Sequence, residues 1–93
     1  MTAEKLISVF EFYQDYLKKS GIKSSQYTSY DSRAFKLSPI KHLEHIAWMC
    51  ETAITFVNEG RIEKAMRWLG FIQGVLFMTG WFTLDELKNH SRP

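Results

Sequence analysis

The sequence predicts an all-α fold: a small helical bundle built on an antiparallel helical hairpin, with three main helices and a short C-terminal helix. Three observations carry this prediction. Apolar residues recur at three- and four-residue spacing over most of the chain, and no segment alternates convincingly with the two-residue period of a strand. Cap and stop residues punctuate the periodic stretches. The link Asn58-Glu59-Gly60 between the two longest stretches is so short that it forces them to pair antiparallel.

The first helix is expected over residues 3–19. Thr2 suits its cap and Glu4 the positive end of its dipole. Leu6, Val9, Phe10, Tyr13 and Leu17 form one apolar face. Lys18 and Lys19 fall in the last turn, and Gly21 is a left-handed stop.

Residues 22–38 show no period and are rich in serine, with Tyr27, Tyr30 and Phe35 interspersed. A connection this long is functional or poorly ordered, and is expected to lie outside the packed helices. It leaves room for a short helical turn near Asp31–Phe35.

Ser38-Pro39 marks the second helix, with serine as cap and proline at the first helical position. It is expected to run to about Asn58, burying Leu43, Ile46, Ala47, Cys50, Ala53, Ile54 and Val57. The third helix begins near Arg61 and ends near Thr79, with Ile62, Ala65, Met66, Leu69, Ile72, Gln73 and Leu76 facing inward and Gly80 as its stop. The first helix is expected to lie across this 39–79 hairpin. Thr83-Leu84-Asp85-Glu86 fits a capping box and starts a short helix over about 84–90, followed by the tail Ser91-Arg92-Pro93. Residues 1–93 thus form a single domain.

The uncharged run Trp68–Leu84 is the most informative stretch for function. Its seventeen residues would span only about 26 Å as a helix, against about 30 Å of bilayer hydrocarbon, and Gly80 shortens it further. Burial and association therefore suit it better than membrane insertion. A chain of 93 residues, 15% of them aromatic, has little volume in which to hide every large side chain, which favours self-association or a partner.

Trp68, Phe71, Trp81 and Phe82 are the candidate protein-binding anchors, with Arg61, Lys64 and Arg67 as rim charges. The alternative for Trp68 and Phe71 is packing against the first helix. Gly70 and Gly74, four residues apart, suit close packing of another backbone, which would offset a cost of about 1 kcal/mol each relative to alanine.

Charge is unevenly spread. Residues 18–41 hold six cations, Lys18, Lys19, Lys23, Arg33, Lys36 and Lys41, against Asp31 alone, a net of +5. Cations hold phosphates and rings stack on unpaired bases, so Lys18, Lys19, Lys23, Arg33 and Lys36 form a candidate nucleic-acid surface. A solvated loop anchored by its aromatics is the competing reading.

Catalytic and metal chemistry find little support. His42 and His45 are one turn apart in H-L-E-H, which lacks the zinc-protease spacing, and no further ligands complete a tetrahedral site. His45 and Cys50 lie about 140° apart around a helix, too far to form a nucleophile–base pair. Cys50 reads as a small buried hydrophobe, and a lone cysteine fits a reducing compartment. No cofactor, metal site or enzymatic activity is expected. The N-terminus lacks a basic region followed by a long apolar one, so a cytoplasmic location is expected.

The string N-E-G-R-I-E-K-A-M-R-W-L-G-F-I-Q-G-V-L, followed by T-L-D-E-L-K-N-H-S-R-P, resembles short helical proteins encoded by tailed bacteriophages and prophages. The resemblance covers about residues 45–93 and transfers no catalytic residue. It implies a viral accessory protein working in the host cytoplasm by binding: blocking a defence effector, redirecting a host enzyme or scaffolding assembly. The expectation is a non-enzymatic, homo-oligomeric interaction protein, with a nucleic-acid-binding factor as the alternative.

Overall fold

A computed structural model describes residues 1–92; Pro93, the end of the expected tail, lies outside the described residues. The chain forms α1 (Ala3–Lys19), a 3-10 turn (Ala34–Lys36), α2 (Pro39–Asn58), α3 (Ile62–Met78) and α4 (Leu84–His90). The all-helical prediction holds, and each helix begins and ends within about one residue of its expected bounds.

Local chemistry explains the helix ends. Lys5 N–H donates to Thr2 Oγ1 at 3.0 Å, capping α1. Glu86 N–H donates to Thr83 Oγ1 at 3.1 Å while Thr83 N–H donates to Glu86 Oε1 at 2.9 Å, completing the capping box of α4. Ser38 departs from expectation: its side chain makes no capping bond, and α2 starts on Pro39 alone. At the end of α2, Gly60 takes φ 79°, a conformation that costs a side-chain-bearing residue energy. Gly60 N–H then reaches Val57 O at 2.9 Å and Arg61 N–H reaches Phe56 O at 2.8 Å, closing the orphan carbonyls and reversing the chain. The ends of α1 and α3 repeat the same pair of bonds.

The core lies between α1, α2 and α3. Leu6, Phe10, Tyr13 and Leu17 of α1 are fully buried with Ile46, Cys50 and Ala53 of α2 and Ala65, Ile72 and Leu76 of α3. Alpha-1 packs mainly along α2 and touches α3 much less, so it lies beside one limb of the hairpin rather than across both. Two expected inward residues of α3 move. Met66 faces solvent, and Gln73 is half-buried because its amide is used in a polar lock.

That lock joins three helices. Gln73 Nε2 donates to Tyr13 Oη at 2.9 Å and to Ser91 Oγ at 2.9 Å. The Tyr13 oxygen is thereby an acceptor, so its own hydrogen is free for His90 Nδ1, 2.9 Å away. Tyr13, a fully buried side chain, thus ties α1 to α3 and α4.

The 22–38 connection is not outside the packing. Ile22 is buried, and Ser25 N–H donates to Glu44 O at 3.0 Å. The segment runs as a strap against α2.

Cys50 sits in the core with no exposed surface. Burial pushes its thiol up to about 12, with Glu51 adding to the effect. Thiol reagents are expected to leave Cys50 untouched in the folded protein at pH 8 and to label it completely in denaturant. Rapid labelling under native conditions would contradict this placement.

Candidate functional site

Two features stand out from the packed core: the outward face of α3 and a pocket beneath the strap. Alpha-3 buries Ala65, Leu69, Ile72 and Leu76, which lie on one side of the helix. Its opposite side carries Met66, Arg67, Gly70, Phe71, Gly74, Phe77 and Met78, all exposed. Five of the eleven exposed large hydrophobics among the described residues fall on this face or beside it at Leu84. Met78 is 80% exposed and Phe71 51%, values ordinary for a charged surface residue and not for these side chains.

Gly70 and Gly74 sit in the middle of this face. A Cβ built on either would meet no heavy atom within 4 Å. The close approach expected at these glycines is therefore not made within the chain. Beside Gly74 a groove of about 540 Å³ opens, bounded by Phe77, Leu84 and Leu87.

The predicted anchors divide. Phe71 is exposed as expected. Trp68 is half-buried and packs on α2, edge to face with Phe56 at 4.8 Å and tilted against Trp48 at 5.9 Å, not on α1. Phe82 is buried among Tyr13, Tyr16 and His90, so it belongs to the core. Trp81 is half-buried, edge-on to Tyr16. Their burial follows from the turn at Gly80, which folds α4 back onto α1. Arg61 and Lys64 lie over the Phe56 ring at 4.9 and 4.6 Å, and Arg67 is exposed on the open face.

The basic candidates sit on separate elements. Lys18 and Lys19 end α1, where Lys19 pairs with Asp15 at 2.9 Å. Lys23 follows, Arg33 precedes the 3-10 turn and Lys36 is its last residue; all five are exposed.

The pocket beneath the strap was not legible in the sequence. It measures about 420 Å³ and is lined chiefly by Tyr27, Tyr30, His45, Trp48, Trp68 and Phe71. Tyr27 is its hinge pin. Its ring stacks on His45 at 3.8 Å and 10°, its backbone N–H donates to His45 Nδ1 at 3.0 Å, and its hydroxyl meets His42 Nδ1 at 2.6 Å. His42 Nε2 in turn lies 3.1 Å from Ala34 O, an acceptor, so Nε2 carries a proton and donates to it. The two histidines are thus strap anchors.

Burial, and then the neighbouring His42, lower the His45 pKa from its ordinary 6.5. Burial likewise lowers that of His90, with Glu86 opposing and Lys5 assisting. Below pH 6.5 the unfolded chain takes up protons that these folded histidines refuse, so stability falls as pH drops; above 6.5 their contribution is intact. The urea midpoint is expected to fall between pH 7.5 and pH 5. The double variant H45N/H90N, which keeps an acceptor near each Nδ1 position, is expected to flatten that slope, and an unchanged slope would contradict the assignment.

Among the described residues, no group of three His, Cys, Asp or Glu side chains is placed to hold a metal ion. Among the same residues, no helix is long and apolar enough to cross a membrane. Comparison with known protein families, with curated proteins and with solved structures finds no match.

Proposed function

We propose that this chain is a small, non-enzymatic accessory protein of the bacteriophage type that acts by binding protein through the outward face of α3, and that its first partner is a second copy of itself. The observation that carries this reading is the symmetry of the face. Gly70 and Gly74 each lie two residues from Ile72, and Met66 and Met78 each lie six residues from it. An antiparallel, two-fold pairing of α3 would set Gly70 opposite Gly74 of the other chain and Met66 opposite Met78, a self-complementary arrangement suited to an isologous dimer.

Met66, Gly70, Gly74 and Met78 also form one i, i+4 row, the ridge that interdigitates when helices pack at close range. The two glycines open a gap in that ridge, and the groove beside Gly74 adds depth. Arg67 and Glu63 stand at one end of this surface, and Lys88 and Arg92 border the groove beside Gly74. Such a dimer would scaffold assembly or present a joint surface to a host factor. Light scattering across a range of concentrations is the test. A mass rising toward twice the 10.9 kDa of one chain supports the reading, and a constant single-chain mass at high concentration contradicts it.

A further inference from the structure

We infer that the pocket beneath the 22–38 strap is a binding site for a small, planar, uncharged heteroaromatic molecule bearing one hydrogen-bond acceptor. Its volume of about 420 Å³ lies within the roughly 300–1,000 Å³ range of small-molecule sites. Its walls are rings. Tyr27 and His45 stack to form one side, Tyr30 meets His45 edge-on at 5.9 Å, and Trp48 and Trp68 continue the wall. Flat walls of this kind gain most from a flat guest, which makes offset or edge contacts with each ring.

Ser29, Ser32 and His42 add polar groups to the lining, but both serines are exposed and His42 is taken up by Tyr27 and Ala34, so His45 sets the chemistry. His45 is 6% exposed, so more than nine-tenths of it is buried. Its Nδ1 accepts the Tyr27 N–H, which places the proton of the neutral ring on Nε2. That Nε2–H has no protein partner among the described residues. It is nevertheless not a sealed orphan, since no buried side-chain nitrogen or oxygen there lacks both a partner and solvent. His45 is one of the residues that line the pocket. An unpartnered donor on a residue of an aromatic pocket wall selects a guest with an acceptor in its ring plane. An ammonium guest would set its own donors against that N–H, and no carboxylate lines the pocket to hold one.

The inference does not rest on self-association, although Phe71 borders both surfaces. The test uses the full chain and two bicyclic probes of similar shape. Quinoline offers a ring acceptor; indole offers a donor and none. In amide and indole N–H spectra, quinoline is expected to shift the Tyr27, His45, Trp48 and Trp68 signals saturably. Indole is expected to bind about tenfold more weakly, the ratio expected for one buried hydrogen bond. His45→Asn retains an acceptor for Tyr27 N–H and removes Nε2, and should bring quinoline down to the level of indole. Absence of saturable shifts with quinoline, shifts confined to other regions, or equal affinity for the two probes in the native protein would each overturn the inference, whether or not the variant folds.

Discussion

Tyr13→Ala is expected to remove about 4–5 kcal/mol of stability, the largest loss from any single substitution considered. The ring is fully buried and packs near Phe82 and His90, so truncation leaves a cavity worth about 3–5 kcal/mol. It also strips Gln73 and His90 of a partner. A domain of this size commonly holds only about 5–14 kcal/mol in total, so the variant should be largely unfolded at modest denaturant. Tyr13→Phe separates the two contributions. It keeps the ring and deletes the hydroxyl, leaving two partly buried polar groups to find water, at about 1–3 kcal/mol. Urea titrations of both variants measure the split. Equal losses would mean that the hydroxyl lock, not the ring, holds α1 against α3 and α4; a negligible loss for Tyr13→Phe would mean that the lock contributes nothing.

The double variant G70A/G74A is expected to move folding and assembly in opposite directions. Within one chain each glycine is helical and faces open space, so a methyl group meets no obstacle. Alanine restricts the unfolded backbone and favours the helix by about 0.5–1 kcal/mol per site. The isolated chain should gain roughly 1–2 kcal/mol, or about 5–10 °C in melting temperature, when measured at low concentration. Across a two-fold axis the same methyls would hold the two backbones apart, and association should weaken by roughly tenfold or more. Purely local glycines would produce the gain without the loss. Glycines needed for packing inside the chain would produce a loss of stability instead.

The divergence between what the sequence and the structure reveal is clearest at these glycines. Caps and stops act through a few neighbouring residues, which is why Thr2, Thr83-Glu86, Gly21, Gly60 and Gly80 marked the helix ends legibly. Alpha-1 has polar residues on one side, so its buried face could be read completely; on α2 the expected Ile54 is only half-buried, while Glu44, His45, Met49 and Phe56 are buried without any signal in the apolar stripe. Alpha-3 is apolar nearly all round. Periodicity then loses its contrast, and Met66 and Gln73 were expected to face inward although neither is fully buried.

Long-range contacts left still less trace. Phe82 is buried because α4 folds back on α1, which nothing within a few residues of it encodes. Tyr27 binds His42 and His45 across 15 and 18 residues, so the histidine pair looked like a failed metal motif and the strap like loose chain. The one available signal was an aromatic residue in a serine-rich loop preceding two histidines a turn apart. That pattern is too common to single out a pocket.

The central claim is that α3 meets a second α3 through its glycine face, and contacts between differently labelled chains test it most directly. In a sample mixing isotopically labelled and unlabelled protein, intermolecular proximity is predicted between the Met66 methyl of one chain and the Met78 methyl of the other, and between Gly70 and Gly74. A protein that stays monomeric at millimolar concentration, or one whose intermolecular contacts fall elsewhere and leave Gly70 and Gly74 in water, would contradict it.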